Sequence, residues 1–335
     1  VRPTIFYRYQ GSVELPRRQG YITGVYRNPF YLQHRILFRD LGNFRGGILW
    51  EKDAGEENLF DYGSFYLSYS HPSTKFQLTV GDYYMKTGLG LTLWTPYGTP
   101  LSPRSLPSFR SISPVIYENR STRETGFLRG AALQLQVLPK LSVNFYYSSN
   151  RWDASLSENR EFISSIYFTG YHRTDSEKSK TGQLVTSLRG LSLYTDFRYL
   201  QLQGSIIFQQ FIPGFSPKEP GRFYMNFAHQ FSAGPVRLAG EAALYKTKYP
   251  AFLHHLYYIH GPVKFELTGY YYHPLYFSVL GRSFGSFQAP PANSMGIAMI
   301  FLYKPGKNFH VGGYYHQFRK LQDLDQNPFN RHNYL

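Results

Sequence analysis

The chain of 335 residues carries 31 Tyr and 28 Phe, yet its mean hydropathy is −0.38 and only 42% of its residues are hydrophobic. A helical membrane bundle is excluded: each span needs about 20 consecutive apolar residues, and runs such as Ile206-Ile207-Phe208 and Ile300-Phe301-Leu302 are a few residues long. The absence of cysteine excludes disulfides and thiolate metal sites, and 36 Lys+Arg against 21 Asp+Glu leave a charge of +15 for which a lumen wall, lipopolysaccharide phosphates and nucleic acid compete.

Period-2 alternation, the pattern of a half-buried strand, recurs along the whole chain. It predicts strands at 4–14, 31–41, 44–53, 62–71, 74–85, 126–138, 140–150, 183–197, 200–211, 222–232, 235–246, 251–260, 263–273, 293–304 and 308–320. Phe76, Leu78 and Val80 oppose Lys75, Gln77 and Thr79; Val143 and Phe145 oppose Asn144; Val263 and Phe265 oppose Lys264. The aliphatic set is expected to face lipid and the polar set to face inward. No segment reads as an amphipathic helix of more than three turns.

Very short connections alternate with longer ones. Gly42-Asn43, Pro72-Ser73, Pro139, Arg198-Tyr199, Ala233-Gly234, Gly261-Pro262 and Pro305-Gly306-Lys307 have the residues of tight turns. The longer set includes 15–30, 54–61, 86–125, 151–182, 212–221 and 274–292. Strict alternation sorts all short turns to one side of the sheet and all long loops to the other. The expected fold is therefore all-β: one domain, 1–335, forming an antiparallel transmembrane β-barrel of about 16 strands, with short periplasmic turns and long extracellular loops. The strand-like stretch 163–173 would invert the parity of everything after it and is assigned to the extracellular loop. Fifteen strands remain, one short of an even number, so either the tail 324–335 closes the sheet irregularly or the chain is incomplete at its C-terminus.

Several strings, in order, resemble a family of uncharacterised outer-membrane barrels of Bacteroidetes-type bacteria, usually described as helix-hairpin-helix domain proteins. They are Glu51-Lys52-Asp53-Ala54-Gly55-Glu56, Gly81-Asp82-Tyr83, Gly88-Leu89-Gly90-Leu91-Thr92-Leu93-Trp94, Phe127-Leu128-Arg129-Gly130-Ala131-Ala132 and Gly170-Tyr171-His172-Arg173-Thr174. The similarity lies between about 50 and 175 and is weaker to about 320. It implies an outer-membrane barrel with further strands beyond the end of this chain. The helix-hairpin-helix region is absent here, so the nucleic-acid role in the family's description does not transfer.

Arg8, Arg35, Lys75, Arg198, Arg237 and Lys264 fall opposite the aliphatic faces, with Glu241 and Glu266 as possible partners; these eight are the candidate lumen-lining residues. Lipid-facing Arg costs about 2–4 kcal/mol at mid-bilayer, which places them inward or at the rims. A salt-laced closed lumen and an anion-preferring pore remain open as alternatives. Loop 86–125 is expected to fold in as a constriction, because Leu89, Leu91, Leu93 and Trp94 are costly to leave wet; Arg104 and Arg110 make it basic. His172, Asp175 and Ser176 invite a hydrolase reading, but a triad is identified by convergence in space, and three positions in one polar loop read better as loop residues. Glu51, Asp53, Glu56, Glu57 and Asp61 form a dense acidic patch whose oxygens suit calcium; without calcium-loop spacing they are placed at the wet rim of the strand end. No catalytic, cofactor-binding or metal residue is assigned, and no cofactor is implied. The expected function is a non-enzymatic outer-membrane pore, or a structural subunit of an envelope complex. A lipid-modifying hydrolase and a nucleic-acid uptake component are the alternatives. The expected partners are outer-membrane lipid, lipopolysaccharide and other envelope subunits, with nucleic acid undecided.

Overall fold

The computed structural model describes residues 2–15, 18–94, 111–215, 221–284, 291–307 and 309–322. Its strands are β1 (Thr4–Val13), β2 (Phe30–Leu41), β3 (Phe44–Lys52), β4 (Tyr62–His71), β5 (Phe76–Lys86), β6 (Val115–Glu118), β7 (Leu128–Leu138), β8 (Leu141–Trp152), β9 (Ala154–Leu156) and β10 (Ile163–Ile166). They continue as β11 (Leu184–Asp196), β12 (Leu200–Ile212), β13 (Gly221–Ala233), β14 (Val236–Tyr245), β15 (Tyr249–His260), β16 (Val263–Tyr272), β17 (Ser294–Tyr303) and β18 (Val311–Lys320). Two single-turn helices, α1 (Gln19–Ile22) and α2 (Asp175–Lys178), sit in the connections.

Fifteen strands pair in the order β1-β2-β3-β4-β5-β7-β8-β11 and then consecutively to β18, every pair antiparallel. These are the fifteen alternating segments of the sequence. The sixteenth strand, β6, lies inside the long connection after β5 and takes over the edge of β5 where β7 ends, Tyr83 facing both Leu128 and Glu118. The stretch 163–173 contributes only β10, which pairs with β9 in a separate hairpin. Loop parity is thereby preserved. One connection at the long-loop end is short: Lys246 and Thr247, both with positive φ (52° and 55°), turn β14 tightly into β15. Two left-handed residues match the twist of a hairpin, but Lys and Thr do not announce such a turn in sequence.

Register converts alternation into two faces. Leu78, Leu133, Phe145, Leu191, Ile206, Met225 and Leu244 lie opposite one another across seven strands in one apolar row. The adjacent row runs Gln77, Gln134, Asn144, Ser192, Ser205 and Asn226. Phe145 is 48% exposed while Asn144 is fully buried, and Val80 and Thr79 differ in the same way. The apolar row therefore faces outward and the polar row inward, as alternation predicted. A continuous buried cluster runs from Tyr83 on β5 through β7, β8 and β11–β16 to Ala298 on β17, so the sheet wraps around an interior. This is an antiparallel barrel-type wall with an apolar outer and a polar inner face.

β1 and β18 are the first and fifteenth members of the wall and run in the same direction; they make no pairing with each other among the described residues. Antiparallel closure needs one further strand between them. The tail 324–335, the sequence candidate for that strand, lies outside the described residues.

Placing a charge on the outer face tests this phase. Phe145→Arg is expected to cost about 2–4 kcal/mol of folding stability in lipid vesicles, and Gln134→Arg, on the inner face, much less. Urea unfolding of the two variants measures the difference; a larger cost for Gln134→Arg than for Phe145→Arg would mean the faces are reversed.

Candidate functional site

Beyond Lys86 the chain leaves the wall and turns inward. Gly88 and Gly90 have positive φ (56° and 98°), and this alternation of hand aims successive backbone N–H groups to one side, forming a concave anion-binding nest. The nest is filled from across the interior. Leu89 N donates to Glu241 Oε2 at 2.6 Å and Leu91 N donates to the same oxygen at 3.2 Å. Asn226 Nδ2 donates to Glu241 Oε1 at 3.0 Å, and Gly88 N donates to the side-chain oxygen of Gln203. A Cβ on Gly88 would stand 2.7 Å from the Glu241 carboxyl carbon, so glycine is required sterically as well as conformationally. A loop that departs from β5 is thus fastened to β12, β13 and β14.

A second long connection meets the first inside the barrel. Trp94 N donates to Leu280 O (2.9 Å) and Arg282 N to Gly90 O (2.9 Å). Tyr276 OH donates to Leu91 O (3.0 Å), and Ser278 Oγ to Thr92 O (2.7 Å). Gly281 lies so close to the Leu91 carbonyl that any side chain would collide with it. This second segment is itself pinned to the wall: Tyr224 OH donates to Phe277 O at 2.8 Å, and the buried Arg222 guanidinium lies 4.7–5.6 Å from the rings of Phe215, Phe277, Phe211 and Tyr245. Leu89, Leu91 and Leu93 are buried, each side chain stabilising the inward position by about 1.5–3 kcal/mol. Trp94 is half-buried, with Lys86 Nζ 5.3 Å from its ring centroid. Arg104 and Arg110 lie outside the described residues.

Of the eight candidate lumen-lining residues, six occupy inner-face register positions. Arg8 lies opposite Arg35 on β1 and β2. Arg237 and Glu241 share the inner face of β14, as Lys264 and Glu266 share that of β16. Glu266 accepts or shares a proton with His255 Nδ1 at 3.0 Å, and Thr268 Oγ1 donates to it at 2.9 Å. The other two expectations are corrected. Lys75 sits in the tight turn between β4 and β5, with φ of 46°, and Arg198 in the turn between β11 and β12; both are exposed at the short-turn rim. Alternation was extended one residue too far into Lys75, because a turn residue next to a strand keeps the polar character of the inner face.

At the long-loop end three connections, those after β3, β6 and β8, meet at His172. Its Nδ1 lies 2.8 Å from Asp61 Oδ2 and its Nε2 2.6 Å from Asp153 Oδ2. Both nitrogens face carboxylates, the environment of an imidazolium. Burial would depress the pKa, but the hydrogen bonds to Asp153 and Asp61 override it and push it up to about 11. Glu56 accepts from His172 N (2.8 Å) and from Asp53 N (3.1 Å). Burial, with Asp61 and Asp53 nearby, raises Glu56 to about 7; burial and Asp61 raise Glu124 to about 9. The acidic patch is therefore not at the wet rim: Glu56 is buried where the segment carrying His172 folds down onto it, and Glu51 is buried beside Tyr31 and Thr122. Glu57 alone remains exposed, 3.7 Å from Lys178. Glu56, Asp61 and His172, and likewise Glu124, Asp153 and His172, bring one ligand atom each within 4.8 Å of one another. A cation there would have to displace the His172 protons that already satisfy the carboxylates.

The hydrolase constellation does not assemble. His172 spends both nitrogens on Asp61 and Asp153, while Asp175 and Ser176 lie on α2, whose N-terminus is capped by Thr174 with Glu177. Sequence reasoning missed Gln203, Asn226, Arg222, Glu124 and the 276–282 segment as parts of the interior. Their roles come from long-range convergence, for which no local pattern exists.

No family model and no curated protein matches this chain. Among solved structures it is similar to a mutant of the Rh. blastica porin, at 11% identity and a TM-score of 0.37 over 93% of this chain and 94% of that one. It is similar also to OccK5 (OpdH) of Pseudomonas aeruginosa (11%, 0.43, 97% and 82%) and to Salmonella typhi OmpF in complex with daunomycin (10%, 0.43, 97% and 90%). The fold assignment stands on the strand pairing described above.

The cluster predicts a pH dependence. His172 has its folded pKa raised above the ordinary 6.5, so its contribution is complete below about pH 6.5 and is lost only toward pH 11. Glu56 and Glu124 are raised from 4.5 to about 7 and about 9, so their contributions fade as pH rises through those values. All three act in one direction: the long-loop end should be best protected near pH 5 and loosen progressively as pH rises to about 9. Hydrogen exchange of residues 157–183 at pH 5 and pH 9 measures this. His172→Gln, which leaves Asp61 and Asp153 without their cation, is expected to cost about 3–5 kcal/mol of local stability and to abolish protection of these loops at both pH values.

Proposed function

We propose that this chain is an outer-membrane channel of a Gram-negative envelope, held closed by the paired segments 87–94 and 276–282, with a basic lumen. The observation that carries this reading is the reach of the post-β5 loop across the interior to Glu241. A loop that merely decorates the surface has no need of a dedicated carboxylate on the inner face of a strand nine places further along the chain order. The polar inner row supports a solvated path, since a barrel built only as a scaffold gains more from an apolar packed core. The apolar outer row and its aromatic residues suit contact with lipid and with lipopolysaccharide at the rim.

The latch is the test. Glu241→Ala removes the acceptor for the nest and leaves at least two backbone N–H groups without a partner, at about 1–3 kcal/mol each, which is enough to release the loop. In planar bilayers the native protein is expected to show small, infrequent conductance steps, and Glu241→Ala larger and longer ones. Identical silent traces for both proteins would count against a channel and favour the structural-subunit reading.

A further inference from the structure

The outer face of the wall is largely apolar, and β8 and β11 break that pattern toward the long-loop end. From the short-turn side, the outward positions of β11 read Leu193, Leu191, Arg189 and Ser187. Those of β8 read Val143, Phe145, Tyr147, Ser149 and Arg151. Burial fixes their phase: Leu188 and Asn150 are buried, whereas Arg189 and Arg151 are exposed. Tyr147 lies opposite Arg189, Ser149 opposite Ser187, and Arg151 opposite Val185. Gln210 of β12 extends the serine row by pairing with Ser187. The surface thus passes in order through an apolar stretch, a band of one cation among aromatic rings, a row of hydroxyls and an amide, and a second cation.

Arginine on a lipid-facing wall is costly unless its charge is met or lies near the interface. Arg129, at the same outward phase on β7, is met within the chain. Its Nε donates to Asp82 Oδ1 at 2.6 Å and its Nη2 to Asp82 Oδ2 at 2.8 Å. The side chains of Arg151 and Arg189 form no hydrogen bond or ion pair among the described residues. Arg189 packs over the neighbouring ring of Phe208, its guanidinium carbon 4.9 Å from the centroid. The side chains of Ser149, Ser187 and Gln210 likewise have no hydrogen-bond partner among the described residues. Because Arg151 pairs with Val185, four residues from Arg189, the two arginine backbones stand about 13 Å apart along the strands. The serine row lies between them. Toward the short-turn rim the outward positions of the same strands, such as Leu141, Leu193 and Leu202, carry no charge. The unmet cations are therefore confined to the long-loop half of the wall, the extracellular half of a barrel with this layout.

We infer that this stretch of β8 and β11 is a binding surface for lipopolysaccharide, the phosphorylated glycolipid of the outer leaflet, with one phosphate over Ser149–Ser187 between Arg151 and Arg189. Planar guanidinium forks match phosphate oxygens, and the hydroxyls beside them suit a sugar. Below the cations, Phe145, Leu191 and Ile206 form a continuous outward row along which acyl chains can lie. A free phosphate uses the arginines alone, and an acidic protein segment has no need of the apolar stretch; a phosphorylated amphiphile uses both. The inference rests on the outer-membrane placement in the channel reading and narrows its general lipid contact to one site. Binding does not depend on conduction.

The test titrates purified lipopolysaccharide, the same material after dephosphorylation, and inorganic phosphate into the purified barrel in detergent. The variants are Arg151→Gln, Arg189→Gln, the double variant and Lys307→Gln, the last removing one positive charge at the short-turn rim. Heat-dependent gel mobility confirms that each is folded. The double variant is expected to bind lipopolysaccharide about tenfold or more weakly, each single variant to fall between, and Lys307→Gln to stay within about twofold. With dephosphorylated material the native protein and the double variant should bind alike. Inorganic phosphate, lacking chains, should bind about a hundredfold or more weakly than lipopolysaccharide; equal affinity assigns the arginines to a free solute and overturns the lipid site. Unchanged lipopolysaccharide affinity in the double variant overturns it in favour of a protein partner, and an equal loss in Lys307→Gln overturns it in favour of diffuse charge. A barrel that conducts but fails this test loses the lipid site and keeps the channel. One that binds through both arginines yet never conducts keeps the lipid site and loses the channel.

Discussion

Fifteen strands joined edge to edge commit the backbone N–H and C=O groups of the wall to their neighbours, and the rest of the molecule follows from that commitment. In hydrocarbon no water is available to satisfy a stray amide, so a spanning sheet must be continuous and eventually closed. Continuous antiparallel pairing forces side chains to alternate between two environments. That is why the apolar row through Phe145 and the polar row through Asn144 can lie side by side across the same strands without conflict. It also creates the interior problem: a ring of polar inner-face residues needs partners of its own.

The chain supplies those partners by folding its long connections inward. The Gly88–Leu91 nest and the Glu241 carboxylate form a reciprocal pair, the nest lacking an anion and the carboxylate lacking donors. Charge-assisted hydrogen bonds of this kind are worth about 1.5–3 kcal/mol each, and the burial of Leu89, Leu91 and Leu93 acts in the same direction. Neither segment 87–94 nor segment 276–282 is regular enough to hold its place alone. Together they exchange backbone bonds in a short irregular ladder, and Arg222 among its aromatic rings fastens the second to β13. The two inward segments form a cooperative arrangement rather than a single plug.

The long-loop end is organised on a different principle. Carboxylates from loops distant in sequence are brought together around one histidine, and the cost of assembling like charges out of water is met by the imidazolium and by protonation of Glu56 and Glu124. Such an arrangement ties loops together under one range of pH and releases them under another. Its residues come from the connections that follow β3, β6 and β8, at the long-loop end of the wall.

Strand positions, loop parity and the side on which Val80, Phe145 and Phe265 point were all legible in the sequence, because they are consequences of a local two-residue period that a partner strand merely ratifies. The inward fate of Leu89 and Leu91 was legible for a cruder reason, that such residues are costly to leave in water. The ends of the period were not: Lys75 and Arg198 continue the polar pattern yet belong to turns, since a turn residue and an inner-face residue have the same chemistry. The tight turn at Lys246-Thr247 was hidden because its residues lack the usual left-handed preference. The Glu241 nest and the His172 cluster belong to tertiary structure alone. Each joins groups tens to more than a hundred residues apart, and which carboxylate meets which amide depends on how the sheet curls and which loops turn inward, neither of which leaves a period in the chain.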